Sequence, residues 1–311
     1  MRNCVRLLPL TLAFLLVGCV EIGDFGDSEA FKQEFHSTYP LTAGSISVET
    51  FNGSIELRGW EQNSVEVNAT KYASTQAALD STKIDVNATA GSVRIRASRP
   101  TDMFRRGGVR FTIRVPRKTV LELISTSNGH LRIEDVEGRA QLRTSNGTIR
   151  IDRLTGELDA RTSNGGIEVD ALDGNAKLHT SNGSIRAETT HGSFEAGTSN
   201  GGINARLTDP ATSWPVRLES SNGRIEIAVQ AKQLPAVHAS TSNSSITLRL
   251  PAFANARVRA YTSHSNVSSE FDELRFDDSR RRHSELNGTI GSGGPLMDLS
   301  SSNGSIKILK L

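Results

Sequence analysis

Four acidic residues recur at a fixed interval of 18: Glu134, Asp152, Asp170 and Glu188. Stacked in one column at the strand spacing of about 4.8 Å, neighbouring carboxylates would repel by roughly 1 kcal/mol in water. A hard cation with oxygen ligands, calcium above all, is the chemistry such a column could perform. Arg132, Arg150 and Arg186 supply a different answer. Each stands two residues before one of the acids, on the same face of an extended strand, and brings the neutralising charge itself. No metal site is therefore expected.

Two further columns mix charge without convergence: Gln141, Asp159, Lys177 and Glu195, and Arg143, Arg161 and His179. Cleaving a polysaccharide by hydrolysis needs a pair of carboxylates across a groove, and no pair stands out. The seven histidines are scattered. There is no H-E-x-x-H, G-x-S-x-G, Walker or dinucleotide fingerprint. No catalytic residue and no cofactor is expected, and the chain reads as not an enzyme. Two arginine groups remain as candidate contacts for anionic lipid, lipopolysaccharide or acidic glycan: Arg105, Arg106 and Arg110, and Arg280, Arg281 and Arg282.

The N-terminus reads as a secretion signal over residues 1–18. Arg2 and Arg6 precede a short apolar run, 7–17, too short to span a bilayer as a helix. Leu16, Val17, Gly18 and Cys19 then resemble a bacterial lipoprotein cleavage box. By that resemblance Cys19 carries lipid and ties the chain to a membrane. The next residue is Val20, not Asp, which favours the outer membrane over the inner. Removing Arg2 and Arg6 leaves 34 basic residues against 34 acidic, a balance that does not suggest a nucleic-acid partner. Cys4 and Cys19 are the only cysteines, so the mature domain is expected to fold without a disulfide or a cysteine–zinc site.

The elements that position these columns are written in a repeat. The phrase TSNG begins at Thr126, Thr144, Thr162, Thr180 and Thr198, 18 residues apart. Weaker copies begin at Thr50, Ser220, Thr241, Thr262 and Ser301. Glycine falls every nine residues from Gly129 to Gly201, which marks two turns per unit. Between turns, apolar residues alternate with polar ones, as in Ile149, Ile151 and then Leu158, Ala160. That is the pattern of strands with one buried face. The expected fold is an all-β, single-stranded β-solenoid, parallel β-helix-like, with two short strands per 18-residue coil and roughly ten to twelve coils. Each coil stacks on the one before it. A globular antiparallel sandwich would not require equal loop lengths.

In such a fold Asn128, Asn146, Asn164, Asn182 and Asn200 form a turn ladder. Their amides can bond to their copies above and below, and the threonine column can do the same. The calcium-binding β-roll has a similar coil length, but its turns need an aspartate that T-S-N-G-x-I lacks.

With its TSNG-x-I phrases, the FTIRVP segment at 111–116, the 293–308 segment and the early 44–67 segment, the chain resembles the bacterial β-strand-repeat proteins called putative adhesins, or the toastrack domain. The resemblance implies a β-solenoid on or near the cell envelope. It names no ligand and carries over no catalytic residue.

Along the chain, residues 19–36 read as an acidic tether and 37–311 as the solenoid. Residues 126–205 are its most regular coils. Residues 75–83 suggest a short inserted helix, 99–111 a basic loop, and 268–285 a charged insertion or a cap over the open end. The expected function is that of a non-enzymatic, lipid-anchored envelope protein presenting its solenoid surface to protein or glycan, adhesion being one form of that contact. The alternatives are a polysaccharide lyase or hydrolase on a β-helix, and an envelope-stress signalling partner. Oligomeric state stays open.

Overall fold

The computed structural model describes residues 30–99, 107–272, 274–276 and 283–311. Cys19, Arg105, Arg106, Arg280, Arg281 and Arg282 lie outside them.

Two sheets, of 13 and 14 strands, face each other. In the first, Leu131–Glu137, Ile149–Thr155, Ile167–Asp173, Ile185–Thr190 and Ile203–Thr208 run parallel. In the second, Ala140–Thr144, Leu158–Arg161, Ala176–Thr180 and Phe194–Thr198 do the same. Ile149 pairs with Ile167 and Ile167 with Ile185, so residues 18 apart do stack. The antiparallel strands at the ends aside, each sheet has eleven parallel strands, one per coil. At the strand spacing that is a rod of roughly 50 Å. The β-solenoid is as expected.

The core is the space between the sheets. Ile149, Ile167, Ile185 and Ile203 form one buried column. The facing sheet is filled like brickwork. Successive coils read Ala140 and Leu142, Leu158 and Ala160, Ala176 and Leu178, Phe194 and Ala196, all buried. A large side chain in one column stands beside a small one in the next, which lets flat layers interdigitate without voids. Leu154 and Leu172 fill the corner.

The order of coils departs from a simple stack at both ends. The coil made of Gly44–Asn52 and Ile55–Trp60 lies between the coil of Ser92–Ser98 and Gly107–Pro116 and the coil of Thr119–Asn128 and Leu131–Glu137. Likewise Leu296–Ser301 and Ile306–Lys310 slot between Val237–Thr241 with Ile246–Leu250 and Ala256–Thr262 with Val267–Ser269. The interleaving gives both inserted coils a sheet partner on each side.

Antiparallel strands then cover three of the four sheet ends: Phe31–Pro40 with Ser64–Ala73, Lys83–Ala88, and Glu285–Ile290 with Arg275–Phe276. The fourth end is Val267–Ser269, an edge of only three residues. Such short or turned edges are poor templates for pairing with another chain.

Two boundaries differ from expectation. Phe31–Pro40 begins inside the segment read as a tether, because Phe31, Phe35 and Tyr39 alternate toward the protein along one strand face. In the 268–285 insertion, Phe271 and Leu274 are buried in the main core and Arg275–Phe276 pairs with Thr289 and Gly288, so its described part acts as a cap. The expected helix is present as Gln76–Ser81, with Thr75 accepting a capping bond from the Ala78 amide at 3.2 Å.

The glycines divide into two kinds. Gly138, Gly156 and Gly174 have positive φ, as turn glycines do. The TSNG glycines do not. At Gly165 a β-carbon would overlap the carbonyl oxygen of Gly147, one coil below. Close approach, not turn geometry, demands glycine there. Gly165→Ala is expected to lower stability by roughly 1–3 kcal/mol. Gly91→Ala, where a β-carbon meets nothing within 4 Å, is expected to be neutral or to stabilise by up to about 1 kcal/mol. Thermal melts of the two variants check this.

Candidate functional site

The TSNG phrase is resolved atom by atom. Nine asparagines form an unbroken ladder. Asn128 Nδ2 donates to Asn52 Oδ1 at 2.7 Å, and the pattern continues through Asn146, Asn164, Asn182, Asn200, Asn222 and Asn243 to Asn303, every step 2.6–2.7 Å. All amides point the same way, so each bond polarises the next. At one end Asn52 donates to the Gly107 carbonyl at 3.0 Å.

Contrary to the expectation from sequence, the threonines do not bond to one another. They point inward and are buried. Each hydroxyl donates to the glycine carbonyl of the coil below, as Thr162 does to Gly147 at 3.0 Å and Thr180 to Gly165 at 2.8 Å. Buried hydroxyls need such a partner. With amide, hydroxyl and carbonyl all engaged within the stack, this column has a structural role.

The first sheet carries the acidic column on its outer face, and Glu134, Asp152 and Asp170 are in register. Arginines do meet it, for the most part as expected. Arg132 pairs with Glu134, two residues away, and Arg186 with Glu188 at 3.7 Å. Arg150 instead reaches across a coil to Glu168. Asp152 is met by Arg153 at 2.6 Å, and Glu188 also by Arg206 at 3.0 Å.

Sequence reading missed a further column. Asp135, Arg153 and Ala171 have positive φ, one per coil just before the corner; His191 and Asp209 do too, but register places them after the corner, where Gly174 stands in the preceding coil. Aspartate suits left-handed geometry, but arginine and alanine give no such hint.

Of the anionic-ligand candidates, Arg110 alone is described. Its guanidinium lies 4.8 Å from the Tyr72 ring centre, on the strand Gly107–Pro116 that pairs with Ser64–Ala73.

The outer face of the second sheet is different in kind. Here a trough of about 760 Å³ crosses the strands from Leu158–Arg161 to Val237–Thr241. Two side-chain columns line it. One reads Lys177, Glu195, Arg217 and His238, and the other Arg161, His179, Gly197, Glu219 and Ser240. Gly197 leaves a notch between His179 and Glu219.

A neighbouring hollow of about 540 Å³ shares Lys177, Glu195 and Arg217 with the trough and is bordered by Trp214. Lys177 pairs with Glu195 at 3.3 Å, and Arg161 with Asp159 at 3.0 Å. Two glutamates, Glu195 and Glu219, do share the trough. Both are exposed, and Glu195 is neutralised by Lys177. A catalytic acid needs a desolvated environment to stay protonated, which neither has. The arrangement can bind; it lacks the setting for general acid catalysis. Among the described residues no group of three or more His, Cys, Asp or Glu side chains could hold a metal ion.

With this geometry in view, the family of the chain can be stated. The Toastrack DUF4097 family profile matches residues 111–309, and the chain belongs to that family. No curated protein matches it. Solved structures are only distantly similar. A putative cell adhesion protein from Clostridium sporogenes is 10% identical over 90% of this chain and 100% of its own, with a TM-score of 0.25. A putative adhesin from Bacteroides fragilis is 12% identical over 89% and 97%, at 0.31. One from Parabacteroides merdae is 10% identical over 89% and 96%, at 0.33. Likenesses this distant carry no inference about function.

The best-tied ion pair joins two of the left-handed positions. Arg153 donates to Asp135 at 2.7 and 3.1 Å. Those hydrogen bonds hold the Asp135 carboxyl below its ordinary value. Desolvation opposes the shift, and the charges of Arg153, Arg117 and Arg58 reinforce it. A depressed carboxylate stabilises the fold above its unfolded value near pH 3.9. That contribution is lost as pH falls through the lower folded value. Asn keeps the left-handed tolerance without the charge, so Asp135→Asn isolates the pair. Its melting temperature is expected to lie only slightly below wild type at neutral pH, because so exposed a partner contributes little. The difference should close as pH drops below about 4. Melts across pH 2–7 (roughly the carboxylate range) check it.

Proposed function

We propose that this chain is a non-enzymatic cell-envelope protein whose solenoid presents a long side surface for contact with envelope protein or glycan, adhesion included. Lipid on Cys19 would hold it to the membrane, the outer one by the Val20 criterion. The observation that carries the reading is the second sheet's outer face. It offers an open trough lined by mixed polar side chains, with no buried acid or metal-ligand cluster among the described residues. No helix of the described residues is long and apolar enough to cross a membrane, so attachment would fall to the lipid.

Two measurements test this. Cys19→Ser should move the chain from the membrane fraction to the soluble one and abolish labelling by fatty acid; unchanged fractionation would refute the anchor. Purified chain should co-sediment with insoluble envelope from its own organism. Binding abolished by prior proteolysis of the envelope would indicate a protein partner, and binding that survives it a glycan or lipid. Absence of binding in both preparations would remove the surface-contact reading.

A further inference from the structure

Trp214 is 66% exposed. Leaving an indole in water forfeits one of the larger burial gains available to any side chain. Its position is also a departure from the repeat. The interval from Thr198 to Ser220, the corresponding positions of two successive coils, is 22 residues instead of 18. The extra residues lie in the 209–215 connection, which carries Trp214 to the border of the hollow over Lys177, Glu195 and Arg217. A connection needed only to close a turn could have stayed at the length used by the preceding coils.

The floor beside it shows three further features. The side chains of His179, Arg217 and Glu219 make no hydrogen bond or ion pair with the described residues, so donors and acceptors stand ready. Gly197 removes the side chain between His179 and Glu219, and a β-carbon there would meet only the tip of His179, at 3.2 Å. No backbone contact demands glycine at this position, unlike the TSNG glycines. Charge is largely offset: Arg161, Lys177 and Arg217 stand with Glu195 and Glu219 in the lining, Lys177 is paired with Glu195, and Arg161 is paired with Asp159 beside the trough. A trough whose cations are mostly paired selects only weakly for an anion. Its columns repeat at the strand spacing of about 4.8 Å, close to the length of one pyranose unit in an extended chain.

We propose that this trough and the hollow beside it bind an extended, uncharged glycan, with the Trp214 indole stacking on one sugar ring over the hollow and His179, Arg217 and Glu219 bonding to ring hydroxyls around the Gly197 notch. The proposal rests on the surface-contact reading above and gives that contact a site and a ligand class. A flat aromatic face beside a few convergent polar groups is the composition of a small-ligand site. A sugar presents apolar C–H faces to the ring and hydroxyls to the polar groups. The arginine groups, chosen for an anionic ligand, are not part of this site.

The test uses the full chain and three soluble probes: chitohexaose and cellohexaose, both uncharged and extended, and heparin as the anionic control. Calorimetry should show binding of at least one uncharged probe and none of heparin at physiological salt. Trp214→Ala should weaken that binding by about tenfold. Gly197→Gln, which fills the notch, should weaken it similarly while the melting temperature stays at the wild-type value. No binding of either uncharged probe, or equal binding by both variants, would overturn the proposal. Release of new reducing ends from a bound probe would also overturn it, in favour of an enzyme. The envelope co-sedimentation separates these failures from failure of the broader reading. Envelope binding that persists in Trp214→Ala and is lost on proteolysis of the envelope would sink the glycan groove and keep surface contact with a protein.

Discussion

Everything in this molecule follows from one constraint: each residue sits at strand spacing, about 4.8 Å, from its own counterpart in the coils above and below. A column must therefore tolerate contact with copies of itself. Few side chains do. Asparagine carries a donor and an acceptor and can bond to its copy in both directions, as Asn128 through Asn200 do. Glycine lets the backbones touch, as Gly165 does over the carbonyl of Gly147. Threonine inside the turn satisfies that same carbonyl. The strict phrase TSNG is three solutions to one contact.

Other columns solve it by alternation. Between the sheets, large and small side chains exchange places from coil to coil. On the outer faces, sign alternates or arginine intercalates, as in Asp159, Lys177, Glu195 and Arg217. The stack has no natural stop, so its ends require separate devices: interleaved coils and antiparallel caps. Where the side faces carry unspent polar groups, as at His179 and Glu219, the chain has surface left for a ligand.

Much of this was legible in the residues. The 18-residue interval, the alternating apolar positions and the short helix at 76–81 follow from local pattern and reappear in the structure. Three things were not legible. Interleaving at the ends pairs Ile306 with Ile246, 60 residues away, and no local pattern encodes which neighbour a coil chooses. The reason for each glycine was hidden as well, since Gly156 and Gly165 look alike in sequence and both press on a glycine carbonyl of the neighbouring coil, yet only Gly156 also has positive φ. The inward aim of the threonines depends on where the turn begins relative to the sheet. The trough was half visible: its columns could be written down, but Gly197 as a notch and Trp214 as the border of the adjoining hollow required the strands to be placed side by side.

The most direct measurement removes one rung of the ladder and reads stability and binding together. Asn164→Ala leaves Asn182 and Asn146 without their shared partner. If the phrase serves the fold, the variant melts earlier, by roughly 1–2 kcal/mol for the lost bonds. Co-sedimentation with envelope, per folded molecule, stays at the wild-type level. Unchanged melting together with lost binding would contradict this, and would make the asparagine ladder the binding surface itself.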